Sequence, residues 1–323
     1  MREFIIGSNE ENQRFDKYLK KLLPGAQTGF LYKMLRKKNI TLDGKRATGK
    51  ELLHKGDQVK IFFSENTFLK FMQDTKALED ECQRLRELPM KGLKVIYEDE
   101  DILIADKPYN MLSQKAKPTD FSANEYLLGY LLRSNAVSSE TLVTFRPSVC
   151  NRLDRNTTGL LLMGKSLAGS QELSEKLRDR SIRKFYRAVV YGEVTKEEQL
   201  RGWLLKDEAS NQVQILDHEE PGSLRIETAY TPLKWKHGTD SKEGLTLLEI
   251  HLITGRTHQI RAHLASIGHP IIGDMKYGDP QVNQKYHKEL HVDHQLLHAY
   301  RLEFPDGRIF MAPMPGLMSR ILS

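Results

Sequence analysis

The sequence predicts an α+β protein in two parts, a small basic N-terminal α/β-hairpin module and a larger body on a mixed, mostly antiparallel sheet. Three observations predict it. Hydrophobic spacing switches irregularly between strand and helix periods, without the regular alternation of a βαβ protein. Positive charge is concentrated: Arg14 to Lys60 holds 13 Lys/Arg against 4 Asp/Glu, a local net of +9 in a chain whose formal total is +6. The length, 323 residues, suits two ordinary domains, and 39% hydrophobic with 28% charged residues is a globular composition.

In the basic part, Phe15, Tyr18, Leu19 and Leu22 recur at helical spacing, and Pro24-Gly25 closes the segment. A second periodic segment turns Leu31, Met34 and Leu35 one way and Lys33, Arg36, Lys37 and Lys38 the other. Ile40-Thr41-Leu42, a turn at Asp43-Gly44, and Val59-Lys60-Ile61-Phe62 read as short strands. Two helices with basic faces and a hairpin make a surface suited to phosphates, although a merely solvated hairpin would carry the same charges. The expected division is a module at 1–65, a charged and partly helical linker at 66–92, and one larger domain at 93–323. In that domain strands are predicted near 93–97, 101–105, 158–163, 185–191, 225–230 and 245–252, and helices near 122–133, 166–179 and 257–267.

Several classes are excluded. Cys82 and Cys150 are far apart and form no C-x-x-C pair, which points to a reducing compartment and against a disulfide framework. The N-terminus has no signal-peptide pattern, and no window approaches the roughly 18 apolar residues of a membrane helix, so a cytoplasmic protein with no membrane partner is expected. No Walker loop, dinucleotide glycine fingerprint or H-E-x-x-H is present, so no cofactor is expected. His258, His263, His269 and Asp274 suggest a metal, but histidines five apart fall on different sides of a helix, and no metal is expected.

Three segments carry chemistry. In Asn151-Arg152-Leu153-Asp154-Arg155-Asn156-Thr157-Thr158-Gly159-Leu160 an aspartate between two arginines leads into an apolar strand. The arginines favour an ionised carboxylate, which can act as a nucleophile; in isolation the segment reads rather as a turn aspartate capping amides. Arg183 to Gly192 alternates as a half-buried strand with Tyr186 and Arg187 on opposite faces, Tyr186 offering a flat ring and a hydroxyl. In Thr254-Gly255-Arg256-Thr257-His258-Gln259-Ile260-Arg261-Ala262-His263, Thr257 is the expected helix cap and Gly255 permits close approach to phosphate. Arg261, one turn along, can hold a carboxylate.

The N-terminal pieces Arg14-Phe15-Asp16-x-x-Leu19, Asp43-Gly44-Lys45 and Gly56-Asp57-x-Val59 resemble the S-four-like RNA-binding module, with Thr28-Gly29-Phe30 departing from its usual Ser-Arg. Over residues 93 to 310 the chain resembles the RluA-type pseudouridine synthases. Their first motif is close to His-Arg-Leu-Asp-x-x-Thr-Ser-Gly-Leu, and Asn151 replaces the histidine here. Their later motifs match Thr254 to His263, Gly268 to Ile271 and Gly273 to Gly278.

The resemblance implies that Asp154 is the catalytic aspartate, Tyr186 the tyrosine on the target base and Arg261 the basic partner of Asp154. It implies that Arg152 fills the gap left by the extracted uridine, with Arg155, Arg256 and His258 also at the RNA and Lys33, Arg36, Lys37 and Lys38 in the module. It implies a cofactor-free enzyme with an RNA partner, ribosomal RNA before transfer RNA; a monomer is expected, although no residue pattern specifies the oligomeric state. The rival readings are a non-catalytic ribosome-assembly protein and a metal-dependent nuclease.

Overall fold

The apolar stripe at residues 15, 18, 19 and 22 dictates how the N-terminal part closes. In the computed structural model, which describes residues 1–72, 75–207, 212–238 and 244–323, β1 (Arg2–Ile5) precedes α1 (Phe15–Leu22) and α2 (Thr28–Arg36). Then come β2 (Ile40–Leu42), β3 (Lys45–Arg46) and β4 (Gln58–Ile61). The strands pair antiparallel in the order β1-β4-β2-β3. Phe15, Leu19, Leu31, Leu35, Ile40, Val59 and Ile61 share one buried cluster. Asp43 and Gly44 both have positive φ, 49° and 70°, the geometry a two-residue hairpin requires.

The stretch read as a charged linker contains α3 (Glu65–Phe71) and α4 (Thr75–Arg86). Each has one apolar face, and the two faces dock in different places. Phe68 of α3 joins the N-terminal cluster, whereas Leu78, Cys82 and Leu85 of α4 enter the core of the body.

The body runs β5 (Lys94–Glu98), β6 (Ile102–Lys107), α5 (Ala123–Arg133), α6 (Ser139–Thr144), β7 (Ser148–Val149), β8 (Thr158–Gly164), α7 (Leu167–Arg178) and β9 (Arg183–Tyr191). It continues with β10 (Glu198–Asp207), β11 (Gln212–Leu216), β12 (Leu224–His237), β13 (Gly244–Leu252), α8 (Gln259–Ser266), α9 (Pro280–Leu290), β14 (Leu297–Glu303), β15 (Ile309–Met311) and α10 (Gly316–Leu322). The sheet order is β11-β10-β12-β13-β9-β14-β8-β6-β5, with β15 on β14 and β7 on β8. β14 and β8 run parallel and the other neighbours on that path antiparallel, which is the mixed, mostly antiparallel sheet of an α+β fold.

β8 reads as an unbroken apolar run because it is covered on both faces. Leu161 and Met163 enter one core, and Leu160 and Leu162 another. Gly159 is obligatory where β8 meets β14: a Cβ there would lie 2.2 Å from the Ala299 carbonyl oxygen, and its φ is +109°. β9 sends Tyr186, Ala188 and Val190 into the main core, while Val189 faces another cluster.

Two sequence expectations need correction. The helix predicted over 257–267 begins at Gln259, and its N-cap is His258 at φ +55° with no side-chain cap, so Thr257 does not cap it. β10, β11 and β14, with α9 and α10, were not singled out: β10 opens on Glu198-Gln199 and β14 carries His298 and Arg301, which blur the apolar alternation.

Candidate active site

Asp154 lies in the turn between β7 and β8, and its neighbours hold that turn from several directions. The Asn151 side chain zips the incoming strand to β8: Oδ1 accepts from the Leu162 N–H at 2.8 Å and Nδ2 donates to the Leu160 carbonyl at 3.2 Å. Buried Ser113 donates to the Leu153 carbonyl at 2.8 Å and accepts from its N–H at 2.9 Å. Lys107, at 0% exposure, donates from Nζ to the carbonyls of Pro108, Met111 and Arg155 at 2.9–3.0 Å. On the other side Gln295 donates to Thr157. The two flanking segments meet where the half-exposed Tyr109 ring stacks on His294, centroids 4.3 Å apart.

These contacts aim the Asp154 carboxylate at α8. Nη1 of Arg261 donates to Asp154 Oδ2 at 2.8 Å. Nε and Nη2 of the same guanidinium donate to Asp274 at 2.7 and 2.8 Å. Asp274 is fully buried and also accepts from the N–H groups of Lys276 and Tyr277. Burial alone would raise the Asp274 pKa, but the guanidinium and the two amides outweigh it and hold the group below its ordinary value. Burial likewise opposes the charge on Arg261, and the two carboxylates overcome it, so Arg261 stays a cation.

Two further groups border the carboxylate. His258 Nε2 lies 3.9 Å from Asp154 Oδ2, and Nδ1 is 3.0 Å from the Tyr277 hydroxyl. Burial, with the nearby cations Arg261 and Lys276, outweighs the pull of Asp154 and keeps His258 below its usual value, hence neutral at pH 7. Tyr186 is 7% exposed, in the same core cluster as Leu153 and Ile260. Burial and then the Asp154 charge raise its hydroxyl pKa, so Tyr186 is protonated at neutral pH. The result is a carboxylate with fixed orientation, open to solvent on one side and walled by an aromatic residue, a geometry fit for nucleophilic or acid–base work.

Of the residues singled out from the sequence, Asp154, Arg261, Tyr186 and His258 converge here. Arg152, Arg155 and Arg256 are exposed. The hydrogen bond from an arginine to Asp154 comes from Arg261 of α8. Lys33, Arg36, Lys37 and Lys38 are exposed on and just after α2, in the N-terminal part. Sequence reasoning missed Lys107 and the anchoring role of Asp274. Lys107 leaves one signal, a lysine ending the apolar strand Ile102–Lys107; Asp274 stands out in the sequence only beside histidines, as a metal-ligand type. Among the described residues no group of three His, Cys, Asp or Glu is placed to hold a metal.

A turn carboxylate held by a buried arginine, with a histidine beside it, marks a candidate catalytic site. A family model for RNA pseudouridylate synthase matches residues 101–266. A ribosomal large subunit pseudouridine synthase C of Rickettsia bellii is 31% identical over 270 residues, 83% of this chain and 84% of that protein. The synthase C of Vibrio parahaemolyticus is 28% identical over 323 residues, 98% of this chain and 94% of that one. The solved structure of human RNA Pseudouridylate Synthase Domain Containing 4 shares the fold, with a TM-score of 0.57 at 18% identity over 76% of this chain and 96% of that one. The chain belongs to the RNA pseudouridylate synthase family, in its RluA-type branch. It is an isomerase that acts on RNA.

Proposed function

We propose that the protein converts specific uridines of large-subunit ribosomal RNA to pseudouridine in the cytoplasm, as a monomer and without a metal. The relatives named above as ribosomal large subunit synthases align over most of their length and of this chain, which supports that substrate. Asp154 is the catalytic aspartate, Tyr186 lies against the extracted base, and Arg261 orients and charge-pairs Asp154. The observation that carries this reading is the shared guanidinium: one buried cation joins Asp154 to Asp274 over the Tyr277 ring, and the Asp154 charge is felt at the Tyr186 hydroxyl.

The reaction breaks the bond from C1′ to N1, turns the uracil, and joins C1′ to C5, with the C5 proton lost and N1 protonated. Atoms and electrons balance with no external oxidant or energy source. Extracting the base from its stack costs a few kcal/mol, to be offset by contacts in the pocket. Exposed Arg152, Arg155 and Arg256 rim the opening on that path, with His258 inside it. Tyr186, protonated at neutral pH, offers its ring for stacking and its hydroxyl as a proton carrier.

The division into an S-four-like module at 1–65, a connector at 66–92 and a catalytic domain at 93–323 belongs to the same proposal. In the module Lys33, Arg36, Lys37 and Lys38 form the RNA-facing edge, and Arg36 and Arg46 flank a groove with Tyr32 and Thr48. The test is tritium release from large-subunit ribosomal RNA transcribed with 5-labelled uridine. Release is expected from the wild type and is abolished in Asp154→Asn and Asp154→Ala, which keep RNA affinity; full activity in either variant removes the assignment.

A further inference from the structure

We infer that Arg180, Lys184 and Arg225, around the Thr254-Gly255 turn, form a second anion site that takes a backbone phosphate of the RNA strand next to the target nucleotide. The inference rests on the RNA-modifying reading above and adds a binding site to it.

Strand geometry places the site. Lys184 precedes Tyr186 by two residues on β9, so both side chains leave the same face, with Lys184 about 7 Å further out. Its ammonium sits beneath the turn that leads from β13 to α8: a Cβ on Gly255 would lie 3.5 Å from Lys184 Nζ. That turn carries Arg256 and delivers His258 and Arg261 to the active site, so a strand entering the active site can continue across it.

Charge identifies the ligand. No ion pair among the described residues engages Lys184, Arg180 or Arg225, and burial together with the neighbouring Arg180 charge works against the Lys184 ammonium. Arg180, Arg225, Glu227 and Thr254 line one cleft. Glu227, its carboxylate, is already occupied: it accepts from Arg201 Nε at 2.9 Å and from Gln199. Thr254 is also committed, its hydroxyl donating to buried Gln259 and accepting from the Glu227 N–H. Arg180 and Arg225 line the cleft with a single carboxylate, Glu227, which feels Arg225 but is hydrogen-bonded to Arg201, and Lys184 lies beside the adjoining Gly255; the cations outnumber the acid, and a phosphodiester supplies the missing negative charge. Arg180 sits at φ +66°, just past the end of α7, where glycine is the unstrained choice.

That backbone conformation gives a clean test, because Arg180→Gly removes the cation without loss of fit. Binding of unmodified transcribed large-subunit ribosomal RNA is measured against salt concentration. For Arg180→Gly combined with Arg225→Gln, the slope of log K on log salt is expected to fall by about 1 to 2. Kd and KM should rise several-fold near physiological salt, while the Arg180→Gly melting temperature is not lowered. Lys288→Gln with Arg320→Gln removes the same charge from exposed positions elsewhere and controls for net charge. An unchanged slope, or the same change in the control, overturns the site. Arg225→Gln alone, at an exposed position, decides the matter if Arg180→Gly alters folding. If the wild type releases no tritium, the enzyme reading fails separately, since the salt slope is read without turnover.

Discussion

Asp274 holds Arg261 through two parallel hydrogen bonds, Nε to Oδ2 at 2.7 Å and Nη2 to Oδ1 at 2.8 Å, from a position with no solvent exposure. That grip fixes the guanidinium plane and leaves Nη1 aimed at Asp154. The carboxylate proposed to react is thus oriented, through Arg261, by a second one buried out of reach of solvent.

Replacing Asp274 by Asn keeps its shape and removes its charge. Breaking a buried ion pair costs about 3–5 kcal/mol, and a misplacement of about 1 Å at a reacting group costs about 10²-fold in rate. Asp274→Asn is expected to lower unfolding stability by that order and kcat by about 10²-fold, with RNA affinity retained. Denaturant titration and tritium release check it; wild-type kcat would mean that Asp274 does not position Arg261.

Lys107→Met removes an ammonium that satisfies three carbonyls, two of its own loop and one of Arg155. Each buried acceptor left bare costs about 1–3 kcal/mol. The Arg155 carbonyl keeps its bond from the Met111 N–H, so two acceptors are bared and a loss of about 2–6 kcal/mol is expected, with a fall in kcat as the Asp154 turn loosens. Burial pushes the Lys107 pKa down to about 7, against the pull of Asp154 and Asp106. Between about 7 and the unfolded value near 10.4 the unfolded chain binds more protons, so stability relative to Lys107→Met should rise with pH across that window. A pH-independent difference would refute it.

His263 and His298 are buried, and burial lowers both to about 4. Below the unfolded value near 6.5 the unfolded state binds more protons, so the stability they contribute is full above pH 6.5 and declines as pH falls toward 4. At 1.36 kcal/mol per unit, each contributes up to about 3 kcal/mol of acid sensitivity. Unfolding measured from pH 7 to 4.5 should show a steep loss, reduced in His298→Asn, whose amide can still meet the Thr158 hydroxyl.

Asn151→Ala removes both links from the incoming strand to β8. A loss of about 1–2 kcal/mol in stability is expected, with a smaller loss in kcat than for Asp274→Asn. Asn151→Ala melting like the wild type would show that these links are replaceable.

Changing Lys33, Arg36, Lys37 and Lys38 together to Gln should weaken RNA binding uniformly across sequences and lower the salt slope by about 3. An unaltered slope would remove the RNA role of that edge.

Much of this protein was legible from local pattern. The stripe Phe15, Tyr18, Leu19 and Leu22 specified a helix because helical periodicity is a property of the chain itself. Residues 151–160 and 254–263 marked Asp154 and Arg261 because each motif is contiguous. Nothing in either motif, however, said which charge neutralises which: Asp154 meets Arg261 across 107 positions, and Lys107 meets the Arg155 carbonyl across 48. Thr257 looked like a helix cap, yet His258 took that place. β10 and β14 carried too many polar residues to be seen until their neighbours covered them. The sequence by itself determined most of the regular elements, the basic edge and the residue types of the candidate site; only the tertiary structure decided the remaining strands and the electrostatic partners, because Coulomb and hydrogen-bond energies depend on distance through space and not along the chain.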